Sequence, residues 1–367
     1  MKLFLSPLLL RLTCIVLLLL IVVSCKKSDS APPPTAPAVT TMALTNITTT
    51  SATTGGTILT DGNAAITQSG IVWSKTNATP NLTDSVIAGT TSKGSFITNL
   101  TGLDFNRTYY IRAFATNSVG TGYGDVVTLN TTNDTSKVRF TYNGKEVIYG
   151  IIVSSVTGKK WLDRNLGATQ VATSYDDYKA YGDLFQWGRP ADGHQLINWT
   201  SSTTGTAVNG STTVLATSDT PAHSNFIIFP DNTTTGDWRS DNNQKRWATI
   251  PQGPCPAGWH VPSFLEWQAE ISNTQIAAGG TASSGGITDY SKGYSQLKLT
   301  IAGYRYMDGP PYSVLFGQAN RVGRYWTTSD RFKNGYSDVK DIEIGSANVQ
   351  AGDMPKGYAM SVRCLRN

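Results

Sequence analysis

The chain is short of charge and nearly devoid of histidine. Only 15% of its 367 residues are Asp, Glu, Lys or Arg, against about a quarter in an average soluble domain. So little Lys and Glu leaves scant material for long surface helices, which excludes an all-helical protein. No stretch gathers five or six Lys or Arg, so the basic footprint of a nucleic-acid binder is missing and no nucleic-acid partner is expected. The net charge of +5 falls to +3 if Lys2 and Arg11 are removed with the leader. Three histidines, His194, His223 and His260, lie at no metal-ligand spacing, so neither a metal nor another cofactor is expected. Disorder is excluded for most of the chain, because nine Trp, 16 Tyr and 11 Phe can build a core.

Long apolar runs are equally scarce, with one exception. Residues 12–23 read LTCIVLLLLIVV, preceded by Lys2 and Arg11. Twelve helical residues span about 18 Å, short of the roughly 30 Å hydrocarbon core, so the run reads as the apolar core of a signal peptide. Its end, Val22-Val23-Ser24-Cys25, resembles the bacterial lipobox, in which the cysteine is joined to diacylglycerol and becomes the new N-terminus. A transmembrane anchor, or an ordinary signal peptide with a chance cysteine, is the competing reading. The segment Ala31-Pro32-Pro33-Pro34-Thr35-Ala36-Pro37 favours the lipid, because proline at that density makes an extended stalk. On this reading residues 1–24 are signal peptide, and residues 25–38 are the lipidated Cys25 and its stalk. The partner they imply is a membrane, and the location is the cell envelope, as a surface-exposed outer-membrane lipoprotein.

Cysteine is sparse too. Cys14 leaves with the signal and Cys25 carries lipid, so Cys255–Cys364 is the one disulfide the exported chain can make within itself, two free thiols being the alternative.

Residues 39–133 are Thr-rich and broken by Gly every eight to twelve residues, the rhythm of a small β-sandwich. Gly55-Gly56 within the strand at 50–59 marks a close backbone approach. Ile71, Val72 and Trp73 open the next strand, with Trp73 as the large central core residue. Tyr109, Ile111, Ala113 and Ala115 alternate on one face. Residues 39–133, most specifically the run from Leu103 to Gly124, resemble a fibronectin type III domain. That likeness implies a corner tyrosine whose hydroxyl bonds back to the chain, at either Tyr109 or Tyr110.

From residue 134 the composition changes, and eight of the nine tryptophans follow. Asn143-Gly144 between alternating segments predicts a hairpin. Residues 200–243, rich in Thr, Ser, Asn and Gly, read as a long, partly ordered excursion. A helix is predicted from Ser263, where Ser263 and Glu266 have the spacing of a capping box and Phe264, Trp267 and Ile271 share a face. Short aromatic strands are expected at 297–306, 312–316, 324–328, 342–344 and 358–365. The expected fold class is therefore mainly β, a small sandwich followed by an α+β domain.

Four separated motifs carry a second resemblance: Cys255-Pro256-Ala257-Gly258-Trp259-His260-Val261-Pro262-Ser263 with Glu266-Trp267; Gly303-Tyr304-Arg305-Tyr306-Met307-Asp308-Gly309; Tyr325-Trp326-Thr327-Thr328-Ser329; and Ser361-Val362-Arg363-Cys364. Together they resemble the Fibrobacter succinogenes major paralogous domain, over residues 134–367. More loosely, the segments around Trp259 and Cys364 resemble the formylglycine-generating enzyme group, which implies a C-type-lectin-like fold. The long 200–243 excursion and Asp163-Arg164 depart from the family pattern.

Chemistry finds little foothold. Oxidation of the formylglycine-generating type needs reactive cysteines, and a bridged pair is inert. Asp176, Asp177, Asp183 or Glu266 could pair as glycosidase carboxylates, although Glu266 is better explained by the cap. Asp231, Asn232, Asp241, Asn242 and Asn243 offer oxygens for calcium, but the carbohydrate-binding triplets of calcium-dependent lectins are missing. The expectation is therefore a non-enzymatic surface lipoprotein that binds a glycan or an extracellular protein through aromatics in Gly-flanked loops: Trp199, Trp238, Tyr306, Tyr312 and Tyr325. A carbohydrate-active or protein-modifying enzyme of the envelope is the alternative.

Overall fold

The computed structural model describes residues 32–229, 236–241, 246–271, 285–308, 313–317, 319–333 and 336–367. The expected lipid attachment at Cys25 and the candidate Tyr312 lie outside them, as do Asp231, Asn232, Asn242 and Asn243. The protein is mainly β, with short helices, and divides into two compact units, one ending at Asp134 and one running from Thr135 to Asn367. Among the described residues no helix is long and apolar enough to cross a membrane.

The first unit has eight strands: β1 (Ala38–Thr41), β2 (Ala52–Thr60), β3 (Gln68–Ser74), β4 (Ser85–Ala88), β5 (Gly94–Leu100), β6 (Thr108–Thr116), β7 (Thr121–Tyr123) and β8 (Val127–Asn130). They form two antiparallel sheets, β1-β2-β5 and β4-β3-β6-β7, with β8 also paired to β6. Alternation builds the core between them. Tyr109, Ile111, Ala113 and Ala115 of β6 are all buried, against Ala52 and Ile58 of β2 and Leu100 of β5. The glycine pair does permit close packing. A Cβ on Gly55 would lie 1.9 Å from the Phe96 carbonyl oxygen, and one on Gly56 would lie 2.5 Å from Cβ of Ala113.

The corner tyrosine is Tyr109: it is buried, and its hydroxyl accepts a hydrogen bond from the Asp104 N–H at 2.8 Å. Trp73 does not occupy the centre of the core. It is half-buried and packs edge-on against Tyr109 at 5.4 Å, while Ile71 takes the central place. The expected stalk is also shorter than its composition suggests. Thr35 N–H donates to Gly62 O at 2.8 Å, Asn117 Nδ2 donates to Thr35 O at 2.7 Å, and Pro37 is buried. The sandwich therefore takes hold of the chain from Thr35.

In the second unit, the Asn-Gly hairpin joins Lys137–Tyr142 to Lys145–Val153, and both turn residues have positive φ (48° and 71°), as a type I′ turn requires. This hairpin is one end of a five-stranded antiparallel sheet. Next come Lys160–Leu162, Leu365–Arg366 and Trp259–His260, so Leu365–Arg366 is an interior strand, paired on both sides. A second sheet orders Phe185–Gln186, Ala359–Met360, Tyr304–Asp308 and Ser313–Gly317. A third is a meander of Gly323–Lys333, Tyr336–Ile344 and Val349–Pro355.

The helix Phe264–Glu270 starts at the predicted capping box. Ser263 Oγ accepts from the Glu266 N–H, and Glu266 Oε2 accepts from the Ser263 N–H at 2.9 Å. A further helix, Tyr290–Leu297, lies just before the expected strand at 297–306, and that strand begins only at Tyr304. Its sequence, YSKGYSQL, has poor intrinsic propensity. It is held by the Asp289 cap on Lys292 and by burial of Leu297 with Leu299 and Ile287. The 200–243 excursion is anchored as well. Phe226, Ile227, Ile228 and Phe229 are buried, and strands Gly205–Ala207 and Phe226–Ile227 pair with neighbours.

Tryptophan explains much of this core. Trp161, Trp187, Trp238, Trp247, Trp259, Trp267 and Trp326 are all buried. A buried indole N–H favours an acceptor, and three of these find theirs far away in sequence, whereas the Trp267 N–H has none. Trp187 donates to Thr327 O at 2.8 Å, Trp326 to Phe185 O at 2.6 Å, and Trp161 to Glu270 Oε1 at 3.0 Å. The Cys255–Cys364 disulfide is formed, with both cysteines buried beside Trp187, Trp247 and Trp259.

Candidate functional site

A concavity of the second unit runs along the first hairpin and the strand Ile197–Trp199. It consists of two cavities of about 640 and 420 Å³ that share Gly167, Thr169, Asp183, Ile197 and Asn198. Tyr142, Lys145, Tyr149 and Arg164 line the larger; Tyr178, Lys179 and Trp199 line the smaller.

Asp183 ties the walls together. Its Oδ2 accepts from the Tyr142 hydroxyl at 2.6 Å, and its Oδ1 accepts from the Ile197 N–H at 3.2 Å. Burial pushes its carboxyl up to about 6, and the hydrogen bonds from Tyr142 and Ile197 oppose that rise only in part. The Tyr142 phenol is held well above its usual range by the same burial and by the adjacent carboxylate. Gly167 is required here: its φ is 87°, and a Cβ would lie 2.3 Å from Asp183 Oδ2.

The next wall is equally fixed. The Tyr149 hydroxyl donates to Ala168 O and accepts from the Gly167 N–H, both at 3.0 Å. Its ring packs edge-on against Phe140 and carries the Arg164 guanidinium 4.6 Å from its centroid. Arg164 grips Asp163 through Nε (2.7 Å) and Nη2 (3.0 Å). Trp199 is half-buried, its indole N–H donates to Gly182 O at 2.8 Å, and its ring meets Tyr181 edge-on at 5.0 Å. The cleft therefore presents an aromatic face and several polar groups already locked in place.

The five aromatics expected to meet ligand do not form one site. Trp199 lines the cleft. Trp238 is fully buried and donates to Trp187 O at 2.7 Å, so it is a core residue. Tyr325 is also fully buried, its hydroxyl accepting from the Thr300 N–H and donating to Thr300 O, both at 2.8 Å. Neither can stack on a ligand, because both faces of each ring are buried in the core. Tyr306 is half-buried among Tyr304 and Tyr358, away from the residues that line the cleft.

The carboxylates also separate. Asp177 caps the turn Tyr178–Ala180, and Asp241 is paired with Arg239. Glu266 is buried enough to raise its carboxyl, but hydrogen bonds from His260, Ser263 and Lys159 hold it well below the usual range. Among the described residues no group of three or more His, Cys, Asp or Glu is placed to hold a metal ion. Tyr142, Tyr149 and Arg164 are not among the site residues expected from the sequence. The hairpin alternation that puts Tyr142 and Tyr149 on its strands is visible locally, but their meeting with Asp183 is not.

No family model and no curated protein matches the chain. Among solved structures, the sensor domain of the anti-sigma factor RsgI4 in Pseudobacteroides cellulosolvens is 14% identical, with 27% of this chain and 98% of that one covered and a TM-score of 0.22. Domains A168–A170 from titin are 17% identical, with 27% of this chain and 32% of that chain covered, at a TM-score of 0.20. The twitchin kinase region from C. elegans is 19% identical, with 40% and 23% covered, at 0.21.

Proposed function

We propose that the protein is a lipid-anchored envelope protein whose second unit binds a saccharide in the Asp183 cleft. In this reading Cys25 carries the lipid, the fibronectin-like sandwich is the spacer, and the second unit is the Fibrobacter-type, lectin-like module held outward at the cell surface. The observation that carries the binding role is Trp199. It is the half-exposed indole of this unit, it lines the cleft, and its orientation is set by Gly182 and Tyr181. An indole held in this way offers a stacking face to a sugar ring at little conformational cost.

Binding fits the carboxylate better than hydrolysis does. Among the described residues, Asp183 is the one acidic residue lining either cavity. Both its oxygens already accept internal hydrogen bonds. Glycoside cleavage needs two carboxyl groups facing the scissile bond, one of them free to give its proton to the leaving group.

The test is the full chain, purified from membranes in detergent, on a glycan array, with the reaction mixtures analysed chromatographically for products. Saturable binding without turnover is expected. Release of product would replace the binding role with an enzymatic one. Mass spectrometry of the native N-terminus checks the anchor: a diacylglyceryl Cys25 is expected, and an intact Met1 refutes it.

A further inference from the structure

The charge carried by the cleft says more about its ligand than its aromatics do. Resting on the reading that this cleft holds a saccharide, we infer that the saccharide is anionic, a chain bearing carboxylate or sulfate groups at intervals along its length.

Three cationic side chains line the two cavities, Lys145 and Arg164 in the larger and Lys179 in the smaller, against the single carboxylate of Asp183. Asp183 is buried and engaged by Tyr142 and Ile197, so its charge is drawn into the wall. Arg164 is half neutralised by Asp163, which holds Nε and Nη2. Its Nη1 reaches only the Thr169 carbonyl, at 3.4 Å, and remains a directional donor beside the cleft. Lys145 and Lys179 are exposed. The three cations are shared between the two halves of the cleft. One small anion would need them converged on a point; a chain with repeated negative groups meets them in succession.

The position of the aromatics agrees with this. Trp199 lies in the half lined by Lys179, and Tyr149, with Arg164 over its ring, lies in the half lined by Lys145. The smaller half therefore couples an open ring, for the apolar face of a sugar, with a cation for its acidic substituent, while Tyr149 is buried and leaves the larger half to its cations.

The experiment is calorimetric titration of the full chain with three matched oligosaccharides: an oligogalacturonate, a sulfated galactan oligomer and the neutral galactan oligomer. Each exposed lysine acting across solvent is worth about 0.5–1 kcal/mol, so Lys145→Ala together with Lys179→Ala should weaken an anionic ligand about five- to thirty-fold. The neutral oligomer should bind weakly and be unaffected by the double substitution. Added salt should weaken the anionic ligands in the wild type and do so much less in the double variant. The carboxylated and sulfated arms tell which acid the cleft prefers, and tight binding of either supports the inference.

Equal affinity for neutral and anionic oligomers, or a double variant that binds the anionic ones undiminished, overturns it. Asn198→Trp, at an exposed position shared by both cavities, fills the cleft without touching the core, and should abolish binding of every oligomer. If anionic binding survives Asn198→Trp, the cleft itself is wrong, and that failure is separate from the failure of the charge argument.

Discussion

Removal of the Cys255–Cys364 bridge is the perturbation whose size the structure specifies best. The bridge spans 109 positions and fastens the segment leading into Leu365–Arg366, an interior strand of the five-stranded sheet, to the loop that precedes Trp259. In the loop-entropy treatment, a loop of about 110 residues restricts the unfolded chain by about 16 cal/mol/K, or about 4.8 kcal/mol at 25 °C. Measured bridges commonly fall short of that, so about 3–5 kcal/mol is the expected loss. Cys364→Ser alone would confuse the result, since a hydroxyl left among Trp187, Trp247 and Trp259 adds its own desolvation cost. Cys255→Ala with Cys364→Ala is cleaner.

For a unit of this size each kcal/mol moves the midpoint by about 2–4 °C, so the second transition in scanning calorimetry should fall by about 6–20 °C. The first unit has no cysteine between Thr35 and Asp134, and its transition serves as an internal reference. Reduction of the wild type, with both thiols verified by labelling, should give the same shift. If the fully reduced protein melts within about 2 °C of the oxidised one, the bridge is not what restrains the unfolded chain, and the loop argument is wrong.

Other outcomes follow from single contacts. Tyr109→Phe leaves the Asp104 N–H without its acceptor and should cost the first unit about 1–2 kcal/mol, visible as a lower midpoint for that transition alone. Glu270 receives hydrogen bonds from Trp161 Nε1 (3.0 Å), Ser154 Oγ (2.5 Å) and Thr157 Oγ1, so Glu270→Ala should destabilise the second unit by about 3 kcal/mol or more in urea titrations. Asp183 has a folded pKa of about 6, above its unfolded value near 3.8. Between those pH values the folded protein keeps a proton that the unfolded chain has released, so stability declines as pH rises from about 4 to about 6 and is then level. That decline amounts to about 3 kcal/mol. Asp183→Asn should remove its share of the slope. Asp341, also raised to about 6 by burial, leaves a second step, and an unaltered slope in the variant would show that Asp183 titrates normally.

Short-range chemistry accounts for what was legible in the sequence. The alternation of Tyr109, Ile111, Ala113 and Ala115, the Asn143-Gly144 turn, the Ser263–Glu266 cap and the Gly55-Gly56 approach each depend on residues within a few positions of one another. Cysteine arithmetic reached the Cys255–Cys364 pair because so few partners remained. The helix Tyr290–Leu297 stayed hidden because its propensity is poor and its stability comes from packing on Leu299 and Ile287, which no local pattern reports. Tryptophan misled for a related reason. Trp199 and Trp238 lie in similar Gly- and Thr-rich surroundings, yet Trp238 is buried against Trp187 and Trp199 stands half-open in the cleft.

Composition and periodicity by themselves determined that the chain is mainly β, and where its hairpin and capped helix begin. Tertiary structure alone decided that Tyr142, Asp183 and Ile197 converge on one carboxylate, because 41 residues separate the first two and only the folded sheet brings them within 2.6 Å. Local sequence governs backbone conformation through steric preference and nearby hydrogen bonds. A cleft is a relation between distant surfaces, and it exists only once burial has chosen which faces turn inward.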